Sequence, residues 1–232
     1  MKARFAPLFL ALLMACCLVL PTAMAEESVD PEALLNDLTG TYDELFTTIC
    51  APEYDDVWLE RCTEYVGEEN AAAVAAMLKG ACVGEIYGQE AMDAYAADPA
   101  STVFDCFFIN GVSQFVFNGN QVTGLDADGN EVFSHEYAYV KTLENSIACY
   151  AYKTEDADAG EFTYLCLAPD TPATTYHIEF RYGSDLDALD QLYEGPYAYW
   201  LAAGILADAD ETMIKNGIDL FCAENTAEED AA

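Results

Sequence analysis

The feature that most constrains the fold is a series of aromatic and β-branched segments in the centre of the chain, each of which ends at a turn signal. Segments of this kind are typical of β-strands. The predicted strands are 103–110, 113–118, 120–125, 131–140, 145–153, 161–168 and 175–182. The turns between them include Asn110-Gly111, Asn118-Gly119, Asp128-Gly129 and a cluster at 156–160. Because tight turns join antiparallel neighbours, the sequence predicts an antiparallel meander.

So many consecutive strands favour a barrel or a strongly curved sheet, because closure removes unpaired strand edges. Helical patterns flank the strands on both sides. A short helix should begin at Asp30-Pro31, carry a leucine stripe and stop at Gly40. Further helices are predicted at 53–66 and 70–98, the second broken by glycines, and after the strands from Ser184 and over 210–222.

The N-terminus has the pattern of a secretory signal peptide. Two basic residues precede an apolar run over 5–20, which ends in the cleavage signal Ala23-Met24-Ala25. We therefore expect 1–25 to be removed, a mature N-terminus at Glu26, no membrane span after cleavage, and a secreted or extracytoplasmic location. A lipoprotein signal that places a lipidated Cys16 at the new terminus is the alternative, but the residues after Cys16 continue the apolar run.

After the leader, 26–222 has the length of one domain, and the acidic segment 223–232 reads as a disordered tail. The chain carries a formal net charge of −34 at pH 7. Such a surface repels nucleic acid and anionic lipid and attracts cations. The charge therefore excludes a polyanionic partner, and it fits either an acidic coat that keeps an exported protein soluble or the collection of cations.

The chain contains nine cysteines, two of which lie in the predicted leader. The others are Cys50, Cys62, Cys82, Cys106, Cys149, Cys166 and Cys222. An exported chain meets an oxidising compartment, so we expect up to three disulfides and one remaining thiol. The sequence does not fix their pairing, and it contains no Cys-x-x-Cys motif of a redox pair or zinc ribbon.

One of the two histidines stands in a motif that resembles a known family. The run 176–183 reads Tyr-His-Ile-Glu-Phe-Arg-Tyr-Gly, a helical pattern follows, and 195–200 reads Gly-Pro-Tyr-Ala-Tyr-Trp. This order resembles the ZinT family of extracytoplasmic zinc-recruitment proteins, in which a His-x-His strand precedes a short turn and a helix. Segments 38–45 and 134–139 are also similar to that family. The resemblance implies an α+β fold: a lipocalin-like (calycin) antiparallel β-barrel with N- and C-terminal helices.

The resemblance also implies a zinc site, with substitutions at two of the family's three histidine positions. His177 is retained, Thr175 takes the first position of the pair, and Cys166 takes the third by ungapped counting. Because residues two apart on a strand project from one face, Glu179 would join the same donor set. The predicted metal ligands are thus His177, Cys166, Thr175 and Glu179.

Two other interpretations of these residues remain open. Folding 145–153 back on 161–168 would bring Cys149 near Cys166, and a disulfide between them would remove the thiolate donor. His177 could equally be a barrel histidine that hydrogen-bonds to a tyrosine or carboxylate. The second histidine, His135, is left out of the site, and the acidic turn 126–131 reads as a hairpin turn because its glycine position does not fit a calcium loop.

The resulting hypothesis is an extracytoplasmic protein that binds divalent metal, zinc first, and passes it to a metal-uptake binding protein. No Gly-x-Ser-x-Gly motif is present, so no enzyme activity is predicted. The alternative is a disulfide-stabilised lipocalin-like binding or interaction module without metal, with a small apolar ligand in the barrel mouth.

Overall fold

The computed structural model describes residues 29–81, 107–144, 148–170, 177–191 and 202–226. These residues belong to two compact units. The sheet unit is drawn from 25–45 and 107–210, and the helical unit from 46–106 and 211–232. The predicted leader and the end of the acidic tail lie outside the described residues.

The sheet unit holds nine antiparallel strands in the order β4-β3-β2-β1-β9-β8-β7-β6-β5. They are β1 (Gly40–Glu44), β2 (Gln114–Asn118), β3 (Gln121–Leu125), β4 (Glu131–Glu136), β5 (Ala138–Glu144), β6 (Ala148–Lys153), β7 (Tyr164–Asp170), β8 (His177–Gly183) and β9 (Ala202–Leu206). The described helices are α1 (Leu34–Asp37), α2 (Leu45–Ile49), α3 (Asp55–Val66), α4 (Glu68–Ala81), α5 (Leu186–Gln191) and α6 (Glu211–Thr226).

The two outermost strands of this sheet are consecutive in the chain. β4 ends at Glu136 and β5 begins at Ala138, so Tyr137 alone separates them. One continuous stretch of chain therefore pairs with β3 through its first half and with β6 through its second half. Both edges of the sheet meet at Tyr137, and the sheet forms a nearly closed barrel. The predicted α+β antiparallel barrel is confirmed.

Aromatic side chains fill the interior of this barrel. Phe115, on β2, is fully buried, and its ring lies 4.8 Å from the rings of both Phe108 and Phe180. The same buried cluster takes in Leu34, Leu35 and Leu38, in and just after α1. Interiors packed in this way leave little room for a ligand. The centre of the barrel is therefore a packed core, and the alternative of a small apolar ligand in the barrel mouth stays a prediction.

Buried tyrosine hydroxyls attach connecting segments to the barrel. The Tyr152 hydroxyl donates to the Pro31 carbonyl at 2.7 Å, and the Tyr137 hydroxyl donates to the Phe162 carbonyl at 2.5 Å. Burial is the main cause that raises the pKa of both Tyr137 and Tyr152. Both phenols therefore stay protonated and keep their donor role at neutral pH.

Two strands lack a clear signal in the sequence. β1 lies where the sequence predicts that a helix stops at Gly40, and β9 is the alanine- and glycine-rich stretch Ala202–Leu206. Conversely, the described part of predicted strand 103–110, residues 107–110, is not a strand. Predicted strand 131–140 is divided between β4 and β5. Partners from distant parts of the chain decide these cases, and local propensity does not.

Gly204 shows why β9 contains such small residues. A Cβ atom at this position would lie 2.8 Å from Cε2 of Phe180 and 3.2 Å from Cβ of Tyr42. The strand can therefore pass this close to the aromatic core because residue 204 has no side chain.

We expect Gly204→Ala to lower the free energy of unfolding by about 1–3 kcal/mol, because the added methyl group overpacks a rigid core. Gly80→Ala is the matched control, since a Cβ at that helical position meets nothing within 4 Å. That control should be neutral or slightly stabilising. Urea denaturation of both variants measures the difference, and equal stabilities would contradict the packing argument.

The helical unit is organised around Trp58, which is fully buried on α3. The Trp58 Nε1–H donates to the Ile49 carbonyl at 2.7 Å, which satisfies an acceptor at the end of α2. The Trp58 ring also lies 6.0 Å from the ring of Phe221 on α6. Lys79 of α4 forms an ion pair with Asp55 at the start of α3. None of the described helices is both long and apolar enough to cross a membrane.

Two of the helix boundaries that differ from the sequence prediction are explained by specific hydrogen bonds. α5 is capped by Asp185 rather than Ser184, because the Asp185 carboxylate accepts hydrogen bonds from the backbone N–H groups of Asp187 and Ala188. α6 continues to Thr226, beyond the predicted end at 222. The Thr226 hydroxyl is buried and donates to the Cys222 carbonyl at 2.7 Å. Residues 223–226 are therefore helical rather than part of a disordered tail.

Candidate metal site on the β7–β8 hairpin

The predicted metal site lies on β7 and β8, whose register determines which residues are neighbours. His177 pairs with Asp170, Glu179 pairs with Ala168, and Arg181 pairs with Cys166. On its other side, His177 pairs with Ile205 of β9. Directly opposed residues in an antiparallel pair have Cβ atoms about 4.5–5.5 Å apart. Asp170 is therefore the cross-strand neighbour of His177.

Cys166 does not lie opposite His177 in the β7–β8 pairing. It lies four residues along β7 from Asp170, which corresponds to about 13 Å at the rise of a strand. The register thus separates two of the residues that the sequence analysis assigns to one metal ion. Ungapped counting from the family motif does not account for the length of the connection 171–176, which sets the register. Thr175, in that connection, lies outside the described residues.

The surroundings of Cys166 also disfavour a role as a metal ligand. Its side chain is fully buried and packs in a cluster with Leu143, Cys149, Ala151 and Leu189. A hydrogen bond with Cys149 and burial raise the pKa of the Cys166 thiol. A zinc ligand must be a thiolate. This thiol is therefore held in its protonated form, away from solvent.

The pair Cys149 and Cys166 lies on neighbouring strands, as the predicted hairpin requires. Ala151 pairs with Cys166 and Tyr150 pairs with Leu167, so Cys149 is the diagonal neighbour of Cys166. Both thiols are fully buried, and both are free. The antiparallel pairing of these strands is confirmed, and the disulfide between the two cysteines stays a prediction.

Asp170 is the functional candidate that the sequence analysis missed. It stands at the end of β7, directly before the connection 171–176 that leads to His177. The sequence carries no signal for it: the predicted strands 161–168 and 175–182 are joined by 169–174, and counting outward from that connection places Cys166, not Asp170, opposite His177.

A further carboxylate lies in the same row of the sheet. Asp43 of β1 pairs with Ile205, which in turn pairs with His177. The Asp43 carboxylate accepts a hydrogen bond from Nε2 of Gln114 at 2.6 Å. Asp43 is thus two strands away from His177, or roughly 10 Å, and already has a donor. Asp43 therefore adds negative charge near His177 but is too far from it to be a ligand of the same metal ion.

The described side chains do not bring three or more histidine, cysteine, aspartate or glutamate donors together at metal-binding spacing. The side chains of Asp170 and His177 are not among those described. Glu179 is partly buried on β8, two residues from His177. The backbone register therefore defines this candidate site. It consists of His177, its cross-strand neighbour Asp170, and Glu179, which lies two residues from His177 on β8.

The second histidine occupies a different surface of the sheet unit. His135 Nδ1 lies 2.9 Å from a carboxylate oxygen of Asp156, so that nitrogen carries the proton and donates. The His135 ring lies 5.6 Å from the ring of Phe133. His135 also lines an open cavity of about 640 Å³, together with Glu131, Asp158 and other residues. The sequence does not predict this contact between His135 and Asp156.

The acidic turn at 126–131 is a hairpin turn, as predicted. The Asp126 carboxylate accepts hydrogen bonds from the backbone N–H groups of Asp128 and Asn130. Hydrogen bonds from the Asn130 side chain and backbone are the main cause that lowers the pKa of Asp126. Its oxygens are thus occupied by the turn itself, which joins β3 to β4.

Comparison with solved structures finds similar chains at low sequence identity. The Zn(II)-bound ZinT-like domain of AdcA from Streptococcus pneumoniae is 15% identical, with a TM-score of 0.48, and the match covers 83% of this chain and 89% of that domain. Zn(II)-bound AdcA from the same organism is 14% identical, with a TM-score of 0.49, over 80% of this chain and 35% of AdcA. No protein-family model and no curated protein sequence matches the chain.

Proposed function

We propose that this protein is an extracytoplasmic, non-enzymatic protein that binds divalent metal ions, zinc first, and hands them to a metal-uptake binding protein. The observation that carries the proposal is the β7–β8 register, which makes Asp170 the cross-strand neighbour of His177. An imidazole and a carboxylate are both ordinary zinc ligands. Glu179, two residues along the strand, would supply a third donor.

The ligand set differs from the one predicted from sequence. Cys166 leaves it, because its thiol is buried and lies four residues along the hairpin. Asp170 enters it. One imidazole with carboxylates holds zinc less tightly than three imidazoles, so binding should be weak and should weaken further as acid protonates His177.

The net charge of −34 supports capture of cations from dilute solution, because a strongly negative surface raises their local concentration. The same charge also attracts metal ions without any specific site. A test therefore has to separate one defined site from the diffuse acidic surface, and excess Mg²⁺ does this by screening the surface without supplying a good competitor for an imidazole.

We expect the mature protein to bind one zinc ion, measured by calorimetry in excess Mg²⁺, and His177→Ala to abolish that binding. Asp170→Asn should lower the affinity about 10-fold or more, because the amide keeps the shape but loses the charge. His135→Ala is the matched control and should bind zinc as the wild type does.

Loss of zinc binding in His135→Ala with retention in His177→Ala would move the site to the cavity beside Asp156. Absence of specific binding by the wild type would favour the metal-free interaction module. Circular dichroism of each variant confirms that the fold is intact, so that a loss of binding reports on the site.

A further inference from the structure

The helical unit contains a second pair of buried cysteines, for which the sequence gives no partner. Cys62 lies on α3 and Cys222 on α6, and both side chains are fully buried. Their Sγ atoms are 3.7 Å apart. Two thiols at this distance are in contact, although a disulfide requires the sulfurs to approach to about 2.0 Å.

Contacts on either side of this pair hold the two helices in position. The ring of Phe221, next to Cys222, lies 6.0 Å from the ring of Trp58, one turn before Cys62. The Tyr65 hydroxyl donates to the Asp219 carboxylate at 3.0 Å. The two thiols therefore face each other across an interface that packing and hydrogen bonds already define.

The two thiols differ in acidity. The hydrogen bond with Cys222 lowers the pKa of Cys62, whereas that bond and burial raise the pKa of Cys222. This difference depends on the contact between the two sulfurs in the folded unit. Since both side chains are buried there, the reaction with an external disulfide belongs to the stage before the unit has closed, when either cysteine can attack first.

We propose that Cys62 and Cys222 form a disulfide that joins α3 to α6 in the mature protein. The oxidant is a disulfide-bearing oxidoreductase or a small-molecule disulfide of the compartment to which the predicted leader directs the chain. The thiolate of one of the two cysteines attacks one sulfur of that disulfide, forms a mixed disulfide and releases one thiol. The other cysteine then attacks the protein sulfur of the mixed disulfide, which forms the new bond and releases the second thiol, so two protein thiols are oxidised and one disulfide is reduced to two thiols.

This assignment is independent of the metal proposal, because neither cysteine belongs to the β7–β8 hairpin. It also reduces the number of open pairings. With Cys149 and Cys166 predicted as one pair and Cys62 and Cys222 as another, three cysteines remain after the leader: Cys50, Cys82 and Cys106. One further disulfide and one thiol would account for them.

The scarcity of basic residues makes the test unambiguous. Trypsin cleaves after Arg61, Lys79 and Lys215, so Cys62 is the sole cysteine of peptide 62–79 and Cys222 the sole cysteine of peptide 216–232. Cys149 and Cys166 likewise fall alone in 142–153 and 154–181. Each pairing between these four cysteines therefore gives a different mass.

The protein, exported with its own leader, is unfolded in denaturant that contains an alkylating agent, so that buried thiols are blocked as they become exposed, and is then digested without reduction. We expect a linked species of 62–79 with 216–232 that disappears on reduction. Recovery of both peptides separately and alkylated, from protein that is folded by circular dichroism, would overturn the proposal. A link from either peptide to a different cysteine would overturn it as well.

Thermal unfolding supplies a second measurement. Reduction should lower the melting temperature of the wild type by about 10 °C, as expected for a bond that closes a long loop in a chain of this size. In Cys62→Ala/Cys222→Ala, reduction should cause a smaller shift, because any other disulfide still responds. Equal shifts in the two proteins would contradict the proposed bond.

Discussion

Phe115→Ala will lower the free energy of unfolding by about 3–5 kcal/mol, the usual cost of removing a buried aromatic ring. Phe115 is fully buried at the centre of the barrel. Its ring lies 4.8 Å from those of Phe108 and Phe180 and 5.5 Å from that of Tyr182. Rings from two distant parts of the chain therefore lose their common neighbour, and a cavity is left among packed aromatic side chains.

Urea or thermal denaturation followed by circular dichroism measures this loss. Val140→Ala is the control on the same sheet, since Val140 on β5 is 47% exposed and should change stability by less than about 0.5 kcal/mol. Phe115→Leu should lie between the two, because it keeps part of the buried volume. A Phe115→Ala protein as stable as its control would show that the barrel is not packed around this ring.

Trp58→Ala will destabilise the helical unit by a similar amount, about 3–5 kcal/mol. The side chain is fully buried and contributes both packing and a hydrogen bond. Its loss leaves the Ile49 carbonyl without the donor that now lies 2.7 Å away. An unsatisfied carbonyl inside the unit adds a cost of its own.

Two variants separate these contributions. Trp58→Phe keeps most of the packing but removes the Nε1–H, so its loss of stability should be smaller than that of Trp58→Ala. Leu59→Ala, at the next residue of α3, is the control because Leu59 is 44% exposed. If Trp58→Phe and Trp58→Ala were equally destabilised, the hydrogen bond rather than the volume would carry the effect.

The predicted fold class agrees with the structure because the local sequence of most central strands is enough to predict a strand. Segments such as 113–118 and 120–125 alternate apolar and polar residues around an Asn-Gly turn, and β2 and β3 follow them closely. β1 and β9 carry no such signal. Their place is decided by partners: Tyr42 pairs with Phe115 on one side and with Leu206 on the other.

In the candidate site, too, the sequence predicts some features and not others. The motif around His177 was sufficient to find the strand, but not to find its cross-strand neighbour. Cys166 and Asp170 are both on β7, and the register of β7 with β8, which the sequence does not specify, places Asp170 opposite His177. Likewise, no local pattern relates Cys62 to Cys222, because the packing of α3 against α6 brings them together.

The order of the strands has a consequence for how the barrel forms. β2 to β4 follow one another through short connections, and so do β5 to β8, whereas the chain between β1 and β2 contains α2, α3 and α4. β1 and β9 lie near opposite ends of the part of the chain that forms the sheet unit. They pair with each other through contacts such as that of Tyr42 with Leu206. Closing so long a loop carries the largest entropic cost of any pairing in the sheet, and contacts of this kind slow folding. We therefore expect the pairing of β1 with β9, which joins the strands furthest apart in the chain, to be a late step in the formation of the barrel.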